Sequence, residues 1–220
     1  DNPFVEDENV TSQQKLNLVD LFAGIGGFHY GVAASASKYK FGINPLLVSE
    51  IEQSCQETYS ANFKTDIQGD INKIKLGDYN NLVADIVTAG FPCQPFSNSG
   101  KKLGLSDPRG QFYYKIEEII KHFRAKSFIL ENVPGIKTSG GGHYISKLSA
   151  IPTKIGSTMS FIEENLAKLK DYNVKWIELD SSKFGSPQVR KRVYIIGLHK
   201  DYSKNIDLIF NTYKDKSFIS

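Results

Sequence analysis

The sequence is almost without cysteine: Cys55 and Cys93 are the two among 220 residues. Two cysteines make no disulfide framework, and no Cys-x-x-Cys or His-x-x-x-His pair suggests zinc. A reducing, cytoplasmic setting without a metal is therefore the expectation. Long apolar runs are missing too, since nothing approaches the roughly 18 residues that a membrane span needs. Nor is there an excess of one charge. Lys and Arg number 27 against 24 Asp and Glu, giving a formal net charge of +3. With a pI near 8.7 this favours a polyanionic partner, weakly taken alone. The opening Asp1-Asn2-Pro3-Phe4 lacks both a signal-peptide pattern and an initiator Met, from which a missing or processed N-terminus is expected. What remains is ordinary globular material, 40% hydrophobic and 23% charged, long enough for one domain with a real core.

Along the chain, residues 1–16 are polar and acidic without period and read as a tail. Folding is expected to start near Leu16. Residues 17–22 form a short apolar run that ends in Ala23-Gly24-Ile25-Gly26-Gly27, after which residues 28–36 can be helical: strand, glycine turn, helix. The same reading gives strands at 45–48, 85–89 and 127–130, and further strands near 174–179 and 192–197. Helices fall at 52–62, 111–124 and 159–170, the first with Cys55 and Tyr59 on its inner face, which puts Cys55 in the core. Residues 137–158, rich in Ser, Gly and Lys, read as an insertion loop. Residues 17–200 then make one α/β domain, with 201–220 as a C-terminal extension. Strands alternating with helices imply a doubly wound, mostly parallel sheet of Rossmann-like type, with right-handed crossovers.

The stretch Gly90-Phe91-Pro92-Cys93-Gln94-Pro95-Phe96-Ser97 holds a cysteine between two prolines at a strand's carboxyl end. A lone cysteine is usually a small buried hydrophobe. This one sits in a stiff turn that is poor packing material, where ligands of open α/β sheets collect, and so reads as a nucleophile. The glycine turn opens a helix and can bring backbone N–H groups to a ligand. A dinucleotide fingerprint would need a further glycine where His29 stands. A nucleoside-type cofactor without a pyrophosphate remains, its ribose held by Glu50 at the end of the second strand. Phe22 can face its adenine, and Asp70 in Gly69-Asp70-Ile71 can accept from an exocyclic amine. Glu131 emerges from an apolar strand in Leu130-Glu131-Asn132-Val133-Pro134, a setting that raises a carboxyl pKa and leaves a proton to donate. In Gln188-Val189-Arg190-Lys191-Arg192 the alternation projects Arg190 and Arg192 to one side of an extended segment. Residues 98–110 are glycine-rich and cationic.

Asp20-Leu-Phe-Ala-Gly-Ile-Gly-Gly, Phe91-Pro-Cys-Gln-Pro-Phe-Ser, Glu131-Asn-Val and Gln188-Val-Arg-Lys-Arg, in this order, resemble the blocks of the cytosine-5 DNA methyltransferases. The resemblance covers roughly residues 17–198 and implies an S-adenosylmethionine-dependent methyltransferase fold. Implied with it are S-adenosylmethionine as cofactor, S-adenosylhomocysteine as product and double-stranded DNA as substrate, in a restriction-modification setting at the bacterial nucleoid. By the same resemblance Cys93 adds to carbon 6 of a flipped-out cytosine, Glu131 engages the ring N3 edge, and Arg190 with Arg192 supports the O2 side. Cofactor contacts are expected from Asp20, Phe22, Ala23, Gly24, Ile25, Gly26, Gly27, Glu50, Ile51, Asp70, Ile71, Gly90 and Pro92. DNA contacts are expected from Gln94, Ser97, Lys101, Lys102 and Arg109. Members of the family usually continue into a target-recognition region and two further blocks, for which about 20 residues after Gly197 leave no room. The expectation is a catalytic half whose complement lies on a second polypeptide, or else a fragment of a longer chain. Two rival readings stand beside it, a transfer-RNA cytosine methyltransferase on the same scaffold and a non-catalytic DNA-binding subunit.

Overall fold

The computed structural model describes residues 14–92, 111–202 and 206–214, which fall into two compact units. The first takes residues 14–90 and 114–126. It contains β1 (Lys15–Leu21), α1 (Gly27–Ser37), β2 (Gly42–Ser49), α2 (Gln53–Phe63), β3 (Ile86–Gly90) and most of α3 (Gln111–His122). β1 lies between β2 and β3 and is parallel to both. Strands buried on two faces need apolar side chains at consecutive positions, which Leu18-Val19, Leu47-Val48 and Val87 supply. β1 begins at Lys15, paired with Gly42, so the last residues of the expected tail already belong to the sheet. α3 closes this unit with Ile116, Ile119, Ile120 and Phe123, one stripe at helical spacing, all essentially buried. Cys55, expected in the core, is half-buried in the first turn of α2, while Tyr59 one turn later is fully buried. Because the three strands are parallel, their carboxyl ends, and the turns that follow them, share one edge.

The second unit takes, of the described residues, 91–92, 111–113, 127–202 and 206–214. It contains β4 (Ser127–Asn132), the short pair β5 (Tyr144–Ile145) and β6 (Lys154–Ile155), α4 (Ser157–Leu166), β7 (Tyr172–Asp180), β8 (Lys191–His199) and α5 (Asp207–Lys214). Here the strands are antiparallel, β8 pairing with both β4 and β7. β8 is thus the strand that departs from the expected mostly parallel pattern. Residues 181–190 are too short for the helical crossover of a dozen or more residues that a parallel partner requires, so β7 turns back on itself as a hairpin. Within that pairing Gly197 lies opposite Phe128, and a Cβ on it would come within 2.1 Å of the ring.

Residues 137–158 are not a bare loop. β5 and β6 pair there, and the buried carboxylate of Glu163 on α4 fastens the segment by accepting from Lys147 N at 2.9 Å, Ser146 Oγ and Trp176 Nε1 at 2.7 Å. Residues 206–214 likewise belong to the unit's core, because Ile206 and Phe210 pack with Ala150 and Ile177. Their i, i+4 spacing in a mostly polar segment makes the apolar stripe of α5.

Candidate active site

Each unit builds one cluster of the expected residues. In the first, the chain leaves β1 through Phe22, whose φ of +53° is left-handed for a residue with a full side chain. Gly26 follows at φ +97°, and a Cβ there would strike the Phe63 ring at 2.2 Å, so this position needs glycine twice over. The turn is tied to the next strand: Ala23 N donates to Ser49 O at 3.0 Å, and Gly24 N donates to Glu50 Oε2 at 2.8 Å. Glu50 Oε1 accepts from Glu52 N at 2.8 Å, so this carboxylate braces the turn and the start of α2 together. The segment before Asp70 is bonded to the same strand end, through Gln68 N to Val48 O at 2.8 Å and Glu50 N to Gln68 O at 2.9 Å. Asp70 Oδ1 accepts from Asn72 N at 2.9 Å and caps a short 3-10 turn, leaving Oδ2 open.

Phe22, Gly24, Glu50, Asp70 and Gly90 are half-buried, and Ile25 and Ile51 stand out at 60% and 66% exposure. An acid at a strand end, a second one capping a 3-10 turn and exposed aliphatic side chains suit a nucleoside, the carboxylates for hydroxyl and amine groups and the Ile side chains for a ring face. Four expected contacts, Gly26 among them, are buried. Ala23 and Ile71 are buried at 7% and 3%, and Asp20 is fully buried beneath the turn. Asp20 accepts from Thr88 Oγ1 at 2.7 Å, and burial pushes its carboxyl up to about 7. Sequence reading treated it as part of the glycine motif, whereas β1 is buried on both faces here and Leu21 beside it is fully buried as well.

In the second unit Glu131, on β4, is paired with Tyr194 on β8, and Arg192 sits two residues along on the same face. Its guanidinium Nε is 2.8 Å from Glu131 Oε1, and Arg190 Nη2 is 3.9 Å from the same oxygen. At the end of this apolar strand Glu131 is ion-paired, because β8 and the residue just before it bring both arginines across to it. Oε1 takes both contacts, which leaves Oε2 for a ligand. Burial, and then the charge of Glu131, push the Tyr194 phenol up.

Two supporting residues escaped the sequence reading. Asn132 is 3% exposed, and its Nδ2 donates to Phe91 O at 2.8 Å, which anchors the chain two residues ahead of Cys93. Asp180 Oδ1 accepts from Ser182 N at 3.1 Å and Arg190 N at 3.2 Å, closing the hairpin so that Arg190 reaches Glu131. These bonds, with Lys191 nearby, hold the Asp180 carboxyl below the usual range. The one available signal for Asn132 was a polar residue at the end of an apolar strand. Pro92 is exposed, and Cys93, Gln94, Ser97, Lys101, Lys102 and Arg109 lie outside the described residues. Among the described residues no cluster of His, Cys, Asp and Glu could hold a metal ion, and no helix is long and apolar enough to cross a membrane.

Residues 16–219 match the family described as C-5 cytosine-specific DNA methylase. Over 184 residues the chain is 38% identical to the Type II methyltransferase M.BanI of Aneurinibacillus aneurinilyticus, covering 84% of this chain and 39% of that one. Over 197 residues it is 39% identical to the Type II methyltransferase M.HaeII of Haemophilus aegyptius, covering 88% and 55%. Among solved structures it resembles a putative DNA modification methyltransferase encoded within an E. coli prophage, with TM-score 0.60 and 26% identity over 84% of this chain and 47% of the other. Dnmt2 methyltransferase of S. pombe shares the fold, with TM-score 0.63 and 20% identity over 90% and 54%. The chain thus spans 39% to 55% of the length of these curated relatives. The match over residues 16–219, with relatives 38% and 39% identical over 84% and 88% of this chain, places the chain in the C-5 cytosine-specific DNA methylase family.

Proposed function

We propose that the chain is the cofactor-binding and catalytic portion of an enzyme that methylates carbon 5 of cytosine in double-stranded DNA, within a restriction-modification system. The observation that carries this reading is Glu131 held between Arg192 and Arg190 on adjacent antiparallel strands. A carboxyl group and two guanidiniums on one face match the edge of a cytosine, whose N3 and O2 lie side by side. A base can reach such a site only out of the helical stack, so the target is flipped.

Carbon 5 of cytosine is a poor nucleophile. In the proposed mechanism the Cys93 thiolate adds to carbon 6, forming an S–C bond, and the ring electrons move toward N3, where Glu131 stabilises the developing charge by hydrogen bonding or protonation. Arg192 and Arg190 hold the Glu131 carboxyl in place and support O2. Carbon 5 becomes an enamine carbon, able to attack an electrophile. S-adenosylmethionine, when bound, supplies a methyl group on a sulfonium. Glu50 and Asp70 are assigned to its ribose and adenine, with Phe22, Ile25 and Ile51 against the ring and the backbone of residues 23–27, Gly90 and Pro92 around it. Loss of the carbon-5 proton to a base then expels Cys93 and restores the aromatic ring. Gln94, Ser97, Lys101, Lys102 and Arg109 are assigned to DNA, the cations to phosphates. The matched region is 39% and 55% of the length of these two relatives, and choice of target sequence is proposed to lie in the counterpart of the remainder, on this polypeptide or on a second one.

Cys93→Ser is expected to abolish covalent trapping on a duplex carrying 5-fluorocytosine while leaving cofactor affinity within a few fold, because the residue acts on the base. A covalent adduct formed by the variant would remove Cys93 as nucleophile. Trapping on an RNA duplex in place of DNA would move the substrate to RNA.

A further inference from the structure

The glycine turn rests on a buried polar chain that the proposed chemistry does not use. Asp20 on β1 accepts from Thr88 Oγ1 on β3 at 2.7 Å and faces the Tyr59 hydroxyl on α2 at 3.5 Å. That hydroxyl is 2.7 Å from His29 Nδ1 on α1. The His29 ring stacks on Phe63 with centroids 4.0 Å apart, and Phe63 is the ring packed against Gly26. Four elements of the first unit therefore meet, side chain to side chain, around one carboxylate. α1 also starts without a side-chain cap, since its N-cap is Gly26. Asp20 supplies an acceptor in its place, with the backbone N–H of His29 turned toward it.

Apolar side chains would fill this site without the cost of burying a carboxylate, a phenol and an imidazole. What the polar chain adds is direction: each hydrogen bond fixes an angle, where an apolar contact fixes only a distance. The elements it joins are those that carry the turn, the start of α2 behind Glu50, and the strand leading to Gly90. Tyr59 and His29 are 0% and 6% exposed, so neither meets a ligand itself.

We propose that Tyr59 and His29 are positioning residues for the cofactor turn, acting through Asp20 to set how residues 22–27 present their backbone. The proposal rests on the assignment of that turn to the cofactor. It is tested by calorimetric binding of S-adenosylhomocysteine to the full chain and to Tyr59→Phe, His29→Leu, His29→Asn and Ile116→Val, with urea midpoints for each. Tyr59→Phe and His29→Leu should bind about 10-fold more weakly, the loss of one buried hydrogen bond. His29→Asn can place an amide where Nδ1 was and should stay within about 2-fold of wild type on the same scale. Ile116→Val, a core truncation on α3 in the same unit, should lower the midpoint and leave affinity alone. Unchanged affinity in His29→Leu, or an equal loss in Ile116→Val, overturns the proposal, and the His29 pair decides it even where Tyr59→Phe does not fold. A wild-type chain that binds no S-adenosylhomocysteine overturns the cofactor assignment instead, and this inference with it.

Discussion

Asp20 and His29 show how two residues can hide each other's titration. Burial raises the Asp20 carboxyl to about 7 and lowers the His29 imidazole to about 4. Between about pH 4 and 6.5 the folded chain holds a neutral acid and a neutral imidazole, whereas the unfolded chain holds both charged. Each state then carries one proton on the pair, and their contributions to the pH dependence of stability cancel. Taken separately they oppose. The raised Asp20 contributes stability present at low pH and lost as pH rises through about 7, and the lowered His29 contributes stability lost as pH falls below about 6.5. Asp20→Asn should therefore gain on wild type with rising pH over this window, and His29→Asn should lose ground, each by up to about 1.4 kcal/mol per pH unit. Urea unfolding between about pH 4.5 and about pH 6.5 reads the two differences, and curves parallel to wild type would refute the pairing. Glu50 is the other residue with a double duty. Glu50→Ala removes the ligand acceptor and also releases the amides of Gly24 and Glu52. S-adenosylmethionine binding is expected to weaken by about 1–3 kcal/mol by calorimetry, the usual penalty for such unpairing. Unchanged affinity would place the cofactor elsewhere.

Single strands and helices were legible in the sequence where apolar runs and helical spacing decide them, as in residues 17–22 and the Ile116, Ile119, Ile120 stripe. The mostly parallel sheet was legible too, but the reversed direction of β8 was not. It is set by the length of connection between β7 and β8, and an apolar run reads the same in either sense. The contacts that build the two clusters were hidden for a related reason: His29 and Tyr59 are 30 positions apart, and Asn132 and Phe91 are 41 apart. Such pairs exist only once the elements have packed. Asn132 belongs to this scale, since it joins the end of β4 to the chain that leads into Cys93. Asn132→Ala is expected to slow turnover roughly 10–100-fold, as loss of a positioning contact does, with cofactor affinity unchanged. A variant that loses affinity and rate together would make Asn132 part of the cofactor site.

For the whole molecule, the proposed division of labour predicts poor discrimination between targets. Residues 1–220 alone should bind mixed-sequence duplexes with little preference and methylate them slowly, because the cations assigned to DNA contact phosphates, which position without specifying. Adding the chain that corresponds to the remaining length of the relatives should restore site choice, and robust site-specific methylation without it would refute the division. The arrangement of units along the chain also has a consequence in time. The first unit is interrupted: residues 14–90 come early, but the helix that covers them with Ile116, Ile119, Ile120 and Phe123 arrives only with residues 114–126. On a ribosome adding roughly 5–20 residues per second, the parallel strands wait several seconds with that flank open while the Cys93 segment is being made. A chaperone is therefore expected to be most useful to the nascent chain just when the proposed nucleophile, Cys93, is leaving the exit tunnel.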